Sequence, residues 1–350
     1  MDVRCAATRA ETLHGVGMSA HLPPAIGSRV FDLGGGTTTS QLNEWGLSSG
    51  KIDRLVRDGQ LVRVARGCYR LPSTAGDDYW AELRSDHLKS MAAQITPDAV
   101  AGFRTAALLW DLPVSDMPPH PEVIRPPRSH RPRGLRTVCT ALSMQDVVTV
   151  NGIAVTTMAR TAVDIAADLP IPQALVTLDA ALRNGVRREL MTEIVQRRGA
   201  FAGVANARQA IEWADPFAES PVESRGRGEL LIRGVPRPEC NLTFCFQGEE
   251  FRPDAYWKGT GLTGEADGRG KYDRERWVED PLWAERLRHQ WFEDEVGMKV
   301  FRWIDREMRH SPDAATARWR RLAARPEVRL WVPPTGLEIV RRPLLRRYES

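Results

Sequence analysis

The chain has 350 residues, of which 42% are hydrophobic and 27% charged, close to the average for soluble globular proteins, so disorder, a collagen-like repeat and a membrane bundle are poor fits. At roughly 100 to 200 residues per domain, the length allows two or three domains. The formal net charge of +4 is too mild to name nucleic acid as a partner by itself. Only five of the 49 basic residues are lysine, so where the arginines lie matters more than how many there are.

The five cysteines (Cys5, Cys68, Cys139, Cys240 and Cys245) are odd in number and form no C-x-x-C pair, which argues against a disulfide framework and a four-ligand zinc site and suits a reducing cytoplasm. Charges at Asp2, Arg4, Arg9 and Glu11 break the start of the chain, and no 18 apolar residues run together, so no signal peptide and no membrane partner are expected. Met18 offers a second start, and residues 1–29 are expected to form a flexible tail. Domains are expected at 30–75, 80–213 and 214–350, with breaks at Gly34-Gly35-Gly36, at Pro72 to Gly76 and at Ala214-Asp215-Pro216.

The first periodic segment predicts a short helix from Thr39 to Gly46 and a second from a cap at Ser48 to Gly59. In the second, Ile52, Leu55 and Val56 fall at i, i+3 and i+4 and pack inward, while Lys51, Arg54 and Arg57 face out. Leu61 to Val64, a turn at Ala65-Arg66-Gly67, and Cys68 to Leu71 then read as a basic hairpin. Helix, turn, basic helix and basic hairpin resemble a winged helix-turn-helix. In that reading Ser49, Lys51 and Arg54, together with Asp53, approach base edges, and Arg57 lies on the same outward face. Arg63, Arg66 and Arg70 meet phosphates. The alternative is a small helical cap with a solvated basic face.

Further along, Pro97 to Pro113 reads as a helix. Pro121 to Arg125, Leu135 to Ala141 and Val147 to Val150 read as strands, and Thr161 to Asp168 and Pro172 to Arg183 as helices. Arg125, Arg128, Arg131, Arg133 and Arg136 surround prolines in a loop that either lies along a phosphate backbone or is merely soluble. His87, His120 and His130 have no partner at ligand spacing.

The last third carries the sharpest pattern. Ser220-Pro221-Val222-Glu223 opens a helix with Ser220 as N-cap, Pro221 at N1 and Glu223 at N3, so a capping box already accounts for Glu223. Asn241 to Phe246, Phe251 to Trp257 and Leu262 to Gly268 read as three antiparallel strands joined by glycine turns. A hairpin symmetric about Gly259 and Thr260 sets Asp254 opposite Glu265, and alternation puts Asp267 on the face of Glu265. Like charges facing each other in a sheet are unfavourable unless a cation sits between them. Oxygen ligands of this kind suit Mg²⁺ or Mn²⁺, which would ionise a water for attack on a phosphodiester, with Lys271 placing a further cation on the phosphate. The rival account has Glu265 and Asp267 flanking a glycine-rich turn. An amphipathic helix from Pro281 to Gly297 and a strand from Lys299 to Ile304 follow.

With this order of helix, three strands, helix and strand, residues 220–304 resemble the DUF559 branch of the PD-(D/E)XK nuclease superfamily, related to very-short-patch repair endonucleases. Residues 37–185 resemble AbiEi-type antitoxins and transcriptional regulators of actinobacteria. The nuclease resemblance implies Asp254 as the first motif aspartate, Glu265 as the second acid and Glu223 as the acid on the first helix. Where many members have lysine two residues after the acid this chain has Asp267, and the nearest lysine is Lys271. The expected fold class is therefore α+β multidomain: an N-terminal winged helix-turn-helix, a middle α/β domain and a C-terminal restriction-endonuclease-like α/β core. The expected function is Mg²⁺-dependent DNA cleavage with Glu223, Asp254, Glu265 and Lys271 as catalytic set and Asp254, Glu265 and Asp267 as metal ligands, serving phage defence or a mobile element. No small-molecule cofactor is expected. The AbiEi resemblance implies the alternative: a non-catalytic antitoxin and repressor with DNA and a cognate toxin as partners and an inert nuclease fold.

Overall fold

The computed structural model describes residues 21–72, 79–94, 98–150, 152–267 and 292–343. They fall into two compact units, Met1–Ile95 and Thr96–Ser350.

The first unit runs α1 (Pro24–Asp32), β1 (Gly36–Thr38), α2 (Thr39–Glu44), α3 (Ser49–Arg57), β2 (Val62–Ala65), β3 (Cys68–Arg70) and α4 (Tyr79–Ala92). Its three strands form an antiparallel sheet in the order β1, β3, β2, with Thr37 and Arg63 both opposite Tyr69. Helix α2 starts on a capping box in which Thr38 and Gln41 satisfy each other's backbone N–H. Ile26, Val30, Leu42, Leu47, Ile52, Leu55, Leu61 and Tyr69 make one buried core. Two of these, Ile26 and Val30, belong to α1, so the stretch expected to be a tail through residue 29 is in part a core helix. Its signals are short: Pro24 at the first turn and one apolar pair at i, i+4. The triple glycine expected as a break leads directly into β1.

In the second unit, β4 (Val100–Ala101), α5 (Phe103–Leu109), β5 (Glu122–Arg125), β6 (Arg136–Cys139), β7 (Val147–Val150) and β8 (Ile153–Thr156) are followed by α6 (Met158–Asp168), α7 (Ile171–Arg183), α8 (Arg188–Arg198) and α9 (Val204–Trp213). The strands form a mixed sheet ordered β6, β5, β4, β8, β7. Helices α5 to α9 enclose a core that includes Phe103, Ile165, Leu175, Leu178, Ile194 and Ile211. The helix expected over 97–113 is shorter, because Val100–Ala101 pairs with both β5 and β8 before α5 begins.

The chain continues through α10 (Pro221–Leu231), β9 (Glu239–Cys240), β10 (Thr243–Phe246), β11 (Glu249–Phe251), β12 (Ala255–Trp257), β13 (Leu262–Asp267), β14 (Lys299–Ile304), α11 (Asp305–His310), α12 (Pro312–Ala323), α13 (Pro326–Arg329) and β15 (Glu338–Val340). One sheet is ordered β14, β13, β12, β9 and another β11, β10, β15. The three-strand meander expected over 241–268 is thus divided between two sheets. Pro253, which cannot donate to a ladder, lies between β11 and β12 where the run from Phe251 to Trp257 breaks. The amphipathic helix expected over 281–297 lies, up to residue 291, outside the described residues.

Residues 214–216 do not separate independent bodies. Helix α10 packs along α7 through Arg225-Gly226-Arg227-Gly228. A Cβ on Gly228 would come 2.6 Å from Pro172 Cα, and one on Gly226 would come 2.0 Å from Trp303 Nε1, so α10 approaches both neighbours only because these positions lack side chains. Arg227 is buried and donates to both carboxylate oxygens of Asp179, at 3.0 and 2.7 Å, and to Trp213 O at 2.6 Å. Burial alone would pull the Arg227 pKa down, but the Asp179 carboxylate outweighs it and holds the guanidinium above its ordinary value. Asp179 also accepts from Asp215 N at 2.7 Å. On the other side, Asp116 receives Arg225 at 3.1 Å and Arg309 at 2.6 Å.

Removing one partner of a buried pair strands the other charge, whereas replacing both with apolar groups does not. Arg227→Ala is therefore expected to lower stability by roughly 3 to 5 kcal/mol. Asp179→Leu combined with Arg227→Met should lose less than Arg227→Ala alone, as read by urea unfolding of the whole chain.

Candidate nucleic-acid interface and acidic sheet face

Helix α3 is divided cleanly by burial. Ile52 and Leu55 are at most 1% exposed, while Ser49, Gly50, Lys51, Asp53, Arg54 and Arg57 face solvent. Arg54 and Arg57 share their side of the helix with Gly50, at i, i+4 and i+7. A Cβ on Gly50 would meet nothing within 4 Å, so this glycine is not needed for packing and leaves the start of the helix open to close approach. Sequence reasoning missed Gly50 because a lone helical glycine reads as a weak position.

The wing arginines divide into three cases. Arg66, in the turn between β2 and β3, is exposed. Arg63 is also exposed, but its Nη2 donates to Asp53 Oδ1 at 2.6 Å and its guanidinium stacks over Tyr69, which ties the wing to α3. Arg70 turns the other way: it donates to Asp86 at 2.8 Å and to Leu71 O at 3.0 Å, and its side chain is 14% exposed. The expected phosphate contact by Arg70 is thus replaced by a bond to α4, and Asp53, expected near base edges, is held by Arg63. Ser49, Lys51, Arg54, Arg57 and Arg66 remain on the solvent surface.

In the second unit, β12 and β13 pair as Ala255 with Gly264, Tyr256 with Thr263, and Trp257 with Leu262. The symmetric turn thus has the expected register, but the pairing ends with Ala255 and Gly264, and Asp254 lies in a bend just before β12. Ala255, Trp257, Leu262 and Ala266 belong to the core beneath the sheet, with Phe301 and Trp303 of the parallel neighbour β14. Alternation places Thr263, Glu265 and Asp267 on the other face, which Tyr256 and Val300 share with a second core containing Phe244 and Met298. Asp254 Oδ2 accepts from Ala266 N at 2.6 Å, so its carboxylate lies against β13 between Glu265 and Asp267. Glu265 is buried.

Glu223, expected both in a capping box and as the helix acid of the catalytic set, is held at the start of α10. Its Oε2 accepts from Glu219 N at 2.8 Å and Asn241 Nδ2 at 2.9 Å, while Ser220 Oγ caps Glu223 N. Asn241 N in turn donates to Asp254 O at 3.3 Å. The helix acid therefore lies near the start of β12 but serves the N-terminus of α10. Among the described residues no group of three His, Cys, Asp or Glu is placed to hold a metal ion. Lys271 lies outside the described residues.

The first unit has the element order and exposed basic helix of a winged-helix DNA reader, joined to a mixed α/β unit. Residues 38–72 match the family model described as "Transcriptional regulator, AbiEi antitoxin", and residues 99–212 the one described as "AbiEi antitoxin C-terminal domain". Uncharacterized protein MT2308 of Mycobacterium tuberculosis (strain CDC 1551 / Oshkosh) and Uncharacterized protein Rv2248 of the same species (strain ATCC 25618 / H37Rv) are each 30% identical over 275 residues, 77% of this chain and 94% of their own. The chain belongs to the same family as these mycobacterial proteins and carries both AbiEi antitoxin domains. The solved RV2827C protein from Mycobacterium tuberculosis is similar at a TM-score of 0.32 and 16% identity, over 64% of this chain and 86% of that one. No helix among the described residues is long and apolar enough to cross a membrane.

Burial pushes the Glu223 carboxyl above its ordinary value, against the opposing hydrogen bonds from Glu219, Ser220 and Asn241. A carboxyl with a raised folded pKa favours the fold while protonated. That contribution is full below the ordinary carboxylate range and is lost as pH rises through the raised value. Glu223→Gln keeps an oxygen for both donors, so it is expected to fold normally and to remove this fall in stability. Melting temperatures of the two proteins across acidic to neutral pH check it.

Proposed function

We propose that this chain is a DNA-binding antitoxin of the AbiEi type that represses transcription through its winged helix and opposes a cognate toxin, nucleotidyltransferase-like as the AbiEi resemblance implies. The observation that carries this reading is the exposed face of α3, where Ser49, Lys51, Arg54 and Arg57 point to solvent from a helix anchored by Ile52 and Leu55, inside the stretch that matches an AbiEi regulator model. In this reading the N-terminal half of α3 enters the major groove. Lys51 and Arg54 donate to base edges, and Arg57 and Arg66 donate to phosphates. Gly50 lets the helix backbone come close to the duplex, and Arg63, stacked on Tyr69, fixes how the wing meets the backbone.

The test is binding of the whole chain to a labelled duplex from upstream of its own gene. Lys51→Ala with Arg54→Ala is expected to lose ~1 to 3 kcal/mol per base contact and with it the preference over an unrelated duplex, without change in melting temperature. Equal binding by the variant and the unaltered protein would remove the role given to α3. Co-expression with the product of the adjoining gene tests the antitoxin half, with restored growth as the expected result.

A second reading is favoured by one observation, the bond of Asp254, just before β12, to Ala266 N of β13, next to Glu265. It makes the C-terminal part a metal-dependent endonuclease of the PD-(D/E)XK type, in a cytoplasmic protein of phage defence. Incubation with duplex, single-stranded and mismatched DNA plus Mg²⁺ or Mn²⁺ decides it. Cleavage that drops about a hundredfold or more in Glu265→Ala supports the nuclease, and no cleavage by the unaltered protein leaves the regulator alone.

A further inference from the structure

Between Glu122 and Asp146 the sequence has five arginines (Arg125, Arg128, Arg131, Arg133 and Arg136) and no acidic residue. The structure sorts them. Arg125 is buried and bonded to Asp98 at 2.6 Å and to His130 O at 2.8 Å. Arg136 bridges Glu122 at 3.0 Å and Asp168 at 2.5 Å. The other three, Arg128, Arg131 and Arg133, are exposed and form no ion pair with any described residue.

These three sit on a loop, residues 126–135, that joins the parallel strands β5 and β6. The loop has a definite shape. Pro126, Pro127 and Pro132 restrict its backbone, and Ser129 N closes a turn on Pro126 O at 3.2 Å. Arg125 pins it from below through His130 O, and Cys139 reaches Ser129 O at 3.6 Å. Arg128 has φ +65°, a left-handed conformation that an arginine adopts only where its surroundings enforce it. A solubilising loop needs none of this order.

We propose that this loop is a second DNA-contacting arm, which binds the sugar–phosphate backbone through Arg128, Arg131 and Arg133. The inference rests on the DNA-binding reading of the winged helix. The loop offers three exposed guanidinium groups on an ordered backbone, beside the exposed rings of Pro126, Pro127 and His130, and its one large aliphatic side chain, Leu135, is half-buried. Protein interfaces use arginine together with large aromatic anchors packed into pockets, and the loop has no Trp, Tyr or Phe, whereas a phosphate backbone asks only for cations and donors. From Arg128 to Arg133 an extended chain spans at most about 17 Å, the axial rise of about five base pairs. Contacts of this kind carry no sequence information, so the arm would add affinity and the winged helix selectivity.

The experiment measures Kd of the full-length protein for the upstream duplex and for an unrelated duplex of equal length, from 50 to 200 mM salt. Three lost phosphate contacts reduce the salt slope by about 2.7, so over this range the unaltered protein should lose affinity about 40-fold more than Arg128→Ala/Arg131→Ala/Arg133→Ala. The loss should be the same on both duplexes, and the triple lysine variant, which keeps the charge, should retain the slope. A triple alanine variant that melts normally and binds both duplexes with unaltered affinity and slope overturns the arm while the winged-helix reading stands. Should that variant instead fail to neutralise the toxin, the loop is a protein contact. No binding of either duplex by the unaltered protein overturns both readings together.

Discussion

A buried ion pair lies at the joint between the middle and C-terminal segments of the second unit. Arg227 and Asp179 meet where α10 lies along α7, and around them the backbone is packed too closely for any side chain at Gly226 or Gly228. An isolated charge at this depth would be far costlier than the same charge in water. Two carboxylate bonds, a carbonyl and a backbone amide from Asp215 therefore act together to make the site tolerable. The middle and C-terminal segments share this joint, and Arg309 of α11 makes a second link through Asp116. Anything the C-terminal part does, whether cleavage or mere bracing, is done from a frame anchored in the AbiEi-like domain.

Arginine dominates the basic residues of this chain, and geometry separates its uses more sharply than composition can. Arg227, Arg160 and Arg125 are buried and bonded to acids. Arg70 and Arg136 fasten one element to another. Arg54, Arg57, Arg66, Arg128, Arg131 and Arg133 face solvent. In the sequence all of them are one letter. The distinction comes from whether an acid arrives within reach once distant segments meet, as Asp86 does for Arg70 across 16 residues and Asp179 for Arg227 across 48.

What could be read in advance follows the same logic of distance. The helix and wing of residues 39–71 were legible because apolar spacing, caps and turn glycines lie within a few residues of one another. The register of β12 on β13 was legible because a tight turn fixes which residues face each other. Helix α1 was not, since its packing signal is a single apolar pair whose partners lie in α2, α3 and β3. The split between β11 and β12 was missed although Pro253 marks it, because the run from Phe251 to Trp257 reads as one strand and only the pairing of β11 with β10, and of β12 with β9 and β13, divides it. Glu223 was doubly readable, as a capping residue and as the helix acid of the catalytic set, and its hydrogen bonds are those of the helix start.

The bond between Arg63 and Asp53 has a consequence for how the first unit would meet a polyanion. A carboxylate of its own already occupies the guanidinium that a phosphate would seek, so docking there exchanges one anion for another instead of pairing a bare cation. The enthalpy of that swap is small, and few condensed ions are freed by it. Arg63 would thus add less to such binding than a cation with no carboxylate beside it, because its charge is already partly met by Asp53.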